Sequence, residues 1–343
     1  MGHKPVVISD PYPQQLERII SPEKKAQLLQ LVDLKESTQG RMPDREFDSY
    51  LGEAIAIIGQ TPLPRKRLEM APHLKVIFNV EGNFYQNIDY DFCFQRNIYI
   101  LNCGGAYADA VAEMALCFAL DVGRGVTRED RLFREGRERY VLEANRDAVQ
   151  LTGATVGLIG FGLLGKSLKP LLEPFQCRVL VYDPWLPDNY IKEYGCIPVP
   201  LHELLSKSTF IFVLAGVTTE NQGFIGEQEF NLIQNGSIFI LMSRAAVVDF
   251  DEFVKRVEAG QIKGATDVFP EEPLPKNHPM RKLDNMLLSP HRAGGIPQAF
   301  YKIGEMIIDD LTLIMRGLPP MRMQQARPET IKKLCSRPVE KHE

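Results

Sequence analysis

Residues 155–183 read TVGLIGFGLLGKSLKPLLEPFQCRVLVYD, and no other stretch restricts the fold so tightly. A β-rich apolar run, Thr155–Ile159, leads straight into Gly160, Gly162 and Gly165, spaced G-x-G-x-x-G. A helix-length segment with apolar Leu164, Leu168, Leu171 and Leu172 follows, and Pro174 is expected to close it. A second β-run, Arg178–Tyr182, ends on Asp183. The glycine spacing alone is a weak signal. Strand, glycines, helix, strand and terminal acid in this order specify a βαβ unit that holds a dinucleotide. Gly160 permits the tight turn, Gly162 lets backbone approach a pyrophosphate, and Gly165 lets helix and strand pack closely. The helix N-terminus then offers free N–H groups and positive dipole to the phosphates. A carboxylate at Asp183 accepts hydrogen bonds from the adenine ribose and repels a 2′-phosphate, which favours NAD over NADP.

The chain has 343 residues, so two domains are the natural division. With 44% apolar and 24% charged residues it can bury a large core. A net charge of −4 supplies no basic field, which argues against nucleic acid as a partner. No apolar run is long enough to span a bilayer, and the start, MGHKPVVISDP, lacks a secretory signal pattern, so no membrane association is expected. The cysteines (Cys93, Cys103, Cys117, Cys177, Cys196 and Cys335) are scattered without a C-x-x-C pair. They read as reduced structural thiols of a cytoplasmic protein, and no metal site is expected.

Short β-runs at residues 6–9, 54–58, 75–80 and 99–101 alternate with helical segments at 22–32, 64–71 and 90–96. Such alternation predicts a parallel α/β domain, and without a glycine fingerprint it is not the nucleotide half. A long helix is expected over 109–124, apolar at Val111, Met114, Ala115, Phe118, Ala119 and Val122. From Thr155 the β-runs recur at 155–159, 178–182, 210–214, 237–242, 264–269 and 286–289, which predicts a doubly wound sheet. Asp249 is placed to cap the helix expected over 250–259. A helix over 297–316 then returns to the first domain, and a polar tail follows.

Ligands of doubly wound sheets bind beyond the carboxyl ends of the strands. Three groups fall there: Ser243-Arg244 after IFILM, residues 267–272 in DVFPEE, and His291 after LLSP. Taken singly, Arg244 is an ordinary ion-pair partner, Glu272 a solvated loop acid and His291 a structural imidazole. Their joint placement reverses that reading. A guanidinium binds a substrate carboxylate bidentately. A protonated imidazole gives its proton to a forming alkoxide, and a nearby carboxylate holds its tautomer and stabilises the charged ring.

The chain resembles the D-isomer-specific 2-hydroxyacid dehydrogenases over residues 5–318. The matching segments are NID (87–89), AVAE (110–113), VGLIGFGLLG, VYDP, TTENQGFI (218–225), SRAAVVD (243–249), TDVFPEEPLP and SPHRAGG. The resemblance implies an α/β fold of two doubly wound parallel-sheet domains. A discontinuous flavodoxin-like substrate domain would span 1–108 plus 297–325, a Rossmann NAD-binding domain 109–296, and a polar C-terminal tail 326–343. It implies a catalytic trio of Arg244, Glu272 and His291. For the cofactor it implies a binding turn at Gly160, Gly162 and Gly165, backbone phosphate contacts at Leu163 and Leu164, ribose binding by Asp183, and Asp267 against the nicotinamide amide. Ala215, Gly216, Met242, Ser243 and Gly294 complete the cofactor pocket. It also implies a homodimer paired largely through the cofactor domains, and reversible NAD-linked reduction of a small 2-keto acid to a D-2-hydroxy acid.

Departures concern the substrate loop, where the family reads like A-G-V-G-V-D-N-I-D. Here Glu81, Gly82, Asn83 and Phe84 open the corresponding segment, and these four are the expected substrate-binding residues together with Arg244. Phe84 is expected to change pocket volume and Glu81 to disfavour a highly anionic substrate. Further departures are Leu241 and Ala245 around Ser-Arg, Gly216 for a proline, and Arg292 after the histidine. Two other functions fit parts of the pattern: an NADH-sensing protein like the C-terminal-binding corepressors, and a formate dehydrogenase. The second has a glutamine where Glu272 stands.

Overall fold

The computed structural model describes residues 3–37 and 40–334. It divides into two compact units, Met1–Tyr107 with Gly295–Glu343, and Ala108–Gly294.

The first unit is built on β1 (Val6–Asp10), β2 (Asp33–Glu36), β3 (Ala54–Gly59), β4 (Val76–Asn79) and β5 (Tyr99–Asn102). These are parallel in the order β5-β4-β3-β1-β2, the flavodoxin-like arrangement. Side chains alternate across the sheet with period two. Val7, Ala56, Val76, Phe78 and Leu101 enter one core, and Ile8, Ile57, Ile77 and Ile100 enter the other. Both faces are covered, which is why the strands read as continuous apolar runs. The helix Pro297–Met315 covers the first face with Ile303, Ile307, Ile308 and Leu311. The helix Tyr90–Gln95, capped by the Asp89 side chain, lies on the second.

Past residue 325 the chain departs from the expected polar tail. Gln324–Gln325 pairs antiparallel with β5, and the Ala326 N–H donates to the Ile100 carbonyl at 2.8 Å. A short helix, Pro328–Ile331, follows. Ala326 and Ile331 are buried in the second core, and burying these two apolar side chains outweighs the solubility of their polar neighbours. Cys335 and the rest of the expected tail lie outside the described residues.

The second unit holds β6 (Thr155–Ile159), β7 (Arg178–Tyr182), β8 (Ile197–Pro198), β9 (Phe210–Val213), β10 (Ile238–Leu241), β11 (Lys263–Thr266) and β12 (Met286–Leu288). All are parallel, in the order β12-β11-β10-β9-β6-β7-β8. From β6 the strands progress to both sides, so the order reverses between β6 and β9, and this is the Rossmann switch point. The Asp249 carboxylate accepts the Glu252 N–H at 3.0 Å and caps the helix Phe250–Glu258. That helix packs Phe253 against Phe230 and Phe239, with ring centroids 6.2 and 5.1 Å away.

The long helix begins at Gly104, five residues before its expected start, and runs to Arg124, carrying the chain from one unit into the other. Its first residues, Gly-Gly-Ala-Tyr, hide the start from a periodicity argument. The helix after the glycine motif runs Leu163–Leu172 and contains Pro170; Pro174 falls within a following 3-10 turn, Glu173–Phe175. No described helix is long and apolar enough to cross a membrane.

Candidate active site

The cofactor half of the site follows from backbone geometry at β6. Gly160 has φ +90°, and a Cβ there would stand 2.7 Å from the backbone of Ala215. Only glycine fits, and the turn is pressed against the segment after β9 as a result. A Cβ on Gly165 would lie 2.9 Å from the Gly160 carbonyl oxygen, so the helix packs hard on its own turn. Gly162 differs, since a Cβ on it would meet nothing within 4 Å. It is also the helix N-cap and supplies no side-chain acceptor, so the first-turn amides of Leu163, Leu164 and Gly165 remain available to an anion.

At the end of β7, Asp183 is held by two backbone donors. Its Oδ2 accepts the Phe161 N–H at 2.8 Å and its Oδ1 the Trp185 N–H at 2.9 Å. The carboxylate is thereby fixed to the glycine turn itself, with lone pairs left for a diol. Beyond β9, Asn221 ties the Ala215-Gly216 loop, donating to the Gly216 carbonyl at 2.8 Å and accepting the Thr218 N–H at 2.7 Å. Gly216 too is open where a side chain would stand. Beyond β10, Met242 and Ser243 are buried, and the Ser243 hydroxyl has no hydrogen-bond partner among the described residues. Available helix amides, open glycine faces, a fixed carboxylate and an orphaned hydroxyl form a donor set that fits a dinucleotide.

The acid-base half lies on the loops after β11 and β12. His291 Nδ1 is 2.6 Å from Glu272 Oε2, and the Phe269 N–H donates to Glu272 Oε1 at 3.0 Å. Burial by itself would raise the Glu272 carboxyl. The hydrogen bonds from His291 and Phe269, with the charges of His291 and Arg244, outweigh it and hold the group below its ordinary value. Both side chains keep partial access to solvent, as a proton-transfer pair requires. Arg244 follows β10 and donates to the Ser243 carbonyl at 2.7 Å. His291 itself has φ +48°, a left-handed conformation that is uncommon for a residue other than glycine.

That strained turn is held by Asp267, which is buried. Its Oδ1 accepts the Ser289 hydroxyl at 2.5 Å and the Arg292 N–H at 3.0 Å, and its Oδ2 accepts the Ala293 N–H at 2.9 Å. Asp267 therefore grips the residues on both sides of His291. Sequence reasoning found Asp267 but not this contact, and it missed Ser289 and Asn221 altogether. A polar residue two positions before the histidine was the available signal for Ser289. Gly294 closes the same loop and the unit.

In the first unit, the loop after β4 is shaped by Asn79, whose side chain accepts the Glu81 N–H at 2.9 Å and donates to the Asn83 carbonyl at 2.8 Å. Gly82 lies under the Tyr107 ring. Phe84 departs from its expected place as a pocket wall. It is 5% exposed, packed in the second core with its ring edge-to-face on Tyr90 at 6.5 Å. Its apolar ring gains more from that core than from a polar loop, so only Glu81 and Asn83 present polar side chains here.

The chain is similar to several known proteins. The family model for the NAD binding domain of D-isomer specific 2-hydroxyacid dehydrogenases matches residues 116–293. A glyoxylate reductase of Korarchaeum cryptofilum is 30% identical over 80% of this chain and 83% of its own. A D-3-phosphoglycerate dehydrogenase of Archaeoglobus fulgidus is 30% identical over 80% of this chain, but over only 51% of its own length. Among solved structures, a phosphoglycerate oxidoreductase from Rhizobium etli is 42% identical with a TM-score of 0.86, covering 96% of this chain and all of that one.

Proposed function

The chain belongs to the NAD-dependent D-isomer-specific 2-hydroxyacid dehydrogenases, and on that premise we propose that Arg244, Glu272 and His291 interconvert a small 2-keto acid and a D-2-hydroxy acid. The observation that carries this reading is the 2.6 Å contact between His291 and Glu272, with Arg244 charge reaching the same carboxylate. The first unit is the substrate domain and the second the NAD-binding domain. Gly160, Gly162, Leu163, Leu164, Gly165 and Asp183 would hold the adenosine and pyrophosphate. Ala215, Gly216, Met242, Ser243, Asp267 and Gly294 would surround the remainder.

When bound, the cofactor supplies or accepts a hydride. Arg244 grips the substrate carboxylate through two parallel N–H bonds and fixes the carbonyl. With Nδ1 tied to Glu272, Nε2 is the ring nitrogen that gives a proton to the oxygen in reduction and takes it in oxidation. Glu272, ionised at neutral pH, stabilises the protonated ring and orients it. A carboxylate in that place also favours this reading over formate oxidation.

The protein is expected to act as a cytoplasmic homodimer joined through the second unit. Exposed apolar side chains at Val126, Phe133, Val141 and Leu142 support the pairing, and five free thiols among the described residues suit a reducing compartment. Following NADH absorbance with glyoxylate, pyruvate, hydroxypyruvate and larger keto acids tests the activity. Absence of turnover across that panel overturns it.

A further inference from the structure

The loop after β12, Ser289-Pro290-His291-Arg292-Ala293, closes around one buried carboxylate, that of Asp267. Each backbone donor of the loop has an acceptor. The Ser289 N–H continues the strand ladder to the Thr266 carbonyl at 3.0 Å, and Pro290 has none to place. The His291 N–H turns back to the Ser289 carbonyl at 3.0 Å. Those of Arg292 and Ala293 go to the two oxygens of Asp267, at 3.0 and 2.9 Å. The register that pairs Ala265 with Leu287 and Thr266 with Leu288 brings Asp267 level with Ser289, one step past the end of each strand. The chain thus leaves β12 beside this carboxylate and returns to it, with His291 between.

The Ser289 side chain meets the same group. It is buried, with Oγ 2.5 Å from Asp267 Oδ1 and 3.8 Å from the Met114 sulfur. A hydroxyl has one proton to give, and the carboxylate oxygen at the shorter distance takes it. Asp267 therefore receives donors from before and after His291, and its plane is fixed by both. Glu272 follows five residues later in the same segment and holds the His291 ring through Nδ1 at 2.6 Å. One loop supplies two acids to one histidine: Glu272 fixes the ring, and Asp267 the backbone that carries it. Left-handed backbone at a residue other than glycine persists only where its surroundings hold it.

We propose that Ser289 is a positioning residue for the proton transfer: its hydroxyl orients Asp267, and Asp267 holds the turn from which His291 meets Glu272. The inference rests on the dehydrogenase reading and deepens it. Without the hydroxyl, Asp267 keeps donors on one side of His291 only. The carboxylate can then rotate, the Arg292 and Ala293 bonds loosen, and His291 relaxes out of its left-handed conformation. Proton transfer slows, while Arg244 and the glycine turn, on other strand ends, keep their places. Ser289 isolates this effect better than Asp267 does, because Asp267 is also expected to contact the cofactor.

The test compares wild type, Ser289→Ala and Ser289→Thr, with NADH and the keto acid that is turned over fastest. Ser289→Ala is expected to lower kcat about 10- to 100-fold, the usual worth of a hydrogen bond to a charged group, with little change in KM for NADH. Ser289→Thr keeps the hydroxyl and is expected to recover most of the loss. The solvent deuterium isotope effect on kcat should rise in Ser289→Ala, since proton transfer becomes the slow step; a loss of folded protein alone would leave it unmoved. An unchanged kcat, an unchanged isotope effect, or a threonine variant as slow as the alanine one overturns the role of Ser289. Should Ser289→Ala not fold, Ser289→Cys, with a weaker donor, takes its place. Crystal structures of wild type and variant give a readout without turnover. His291 is expected to leave the left-handed region, or its Nδ1 to move out of hydrogen-bond reach of Glu272, and an unaltered loop overturns the proposal. No NADH oxidation by the wild type with any keto acid overturns the dehydrogenase reading instead, and the crystal structures then decide on Ser289.

Discussion

His291 Nδ1 and Glu272 Oε2 are 2.6 Å apart although their loops leave different strands, β12 and β11. The pair is therefore a product of strand adjacency, and each member acts through the other. His291→Ala should lower kcat for reduction by about 10²- to 10⁴-fold. Glu272→Gln keeps the shape but removes the charge that stabilises the protonated ring, so the alkaline limb of the reduction profile should move to lower pH. Superimposable pH profiles for wild type and Glu272→Gln would count against the pairing.

Asp183 joins the end of β7 to the glycine turn through Phe161 and Trp185. Asp183→Ala should weaken NAD binding by about 10- to 100-fold, the usual worth of hydrogen bonds to a charged group. Discrimination against NADP should fall as the repelling carboxylate disappears. Fluorescence titration with both cofactors checks this, and unchanged selectivity would show that another group repels the 2′-phosphate.

The Asp147 carboxylate receives two hydrogen bonds from Arg128, at 2.8 and 3.1 Å, and an ion pair from Lys263 at 3.0 Å. The Arg128 bonds, against the opposing effect of burial and with help from Lys263, hold it well below the usual carboxylate range. A depressed folded value means that the stabilisation is complete above the unfolded carboxylate value, about 4, and is lost as pH falls below it. Asp147→Asn should cost about 1 kcal/mol at pH 7, or roughly 2–4 °C in Tm, and the difference should shrink below about pH 4. Thermal melts from pH 3 to 8 read this directly, and a difference that grows toward acid would refute the assignment.

Phe84 tests the corrected place of the loop. As a core ring it should cost about 3–5 kcal/mol when replaced by alanine. A stable Phe84→Ala protein with altered substrate preference would return the ring to the pocket. Loss of stability with preference among the surviving molecules unchanged is the expected outcome.

Much of the site was legible in sequence because its determinants are local. Gly160, Gly162, Gly165 and Asp183 lie in one βαβ unit, where spacing alone puts turn, helix start and acid at their stations. Arg244, Glu272 and His291 were legible as strand-end residues. The 2.6 Å distance between His291 and Glu272 was not, since it depends on β12 lying beside β11. The helix start at Gly104 and the packed segment 325–334 escaped for a different reason. Neither has an apolar period of its own, and both are decided by what they bury against.

The linear order of residues determined two α/β units, a dinucleotide fingerprint and the residue types needed for hydride chemistry, because backbone turns and strand periodicity act over a few positions. Tertiary structure decided two things that no spacing encodes. It committed Phe84 to a core, where its apolar ring is most stable. It set Asp267 to grip both flanks of the left-handed His291, accepting from the Ser289 hydroxyl before it and from the Arg292 and Ala293 N–H groups after it, because a buried carboxylate requires donors.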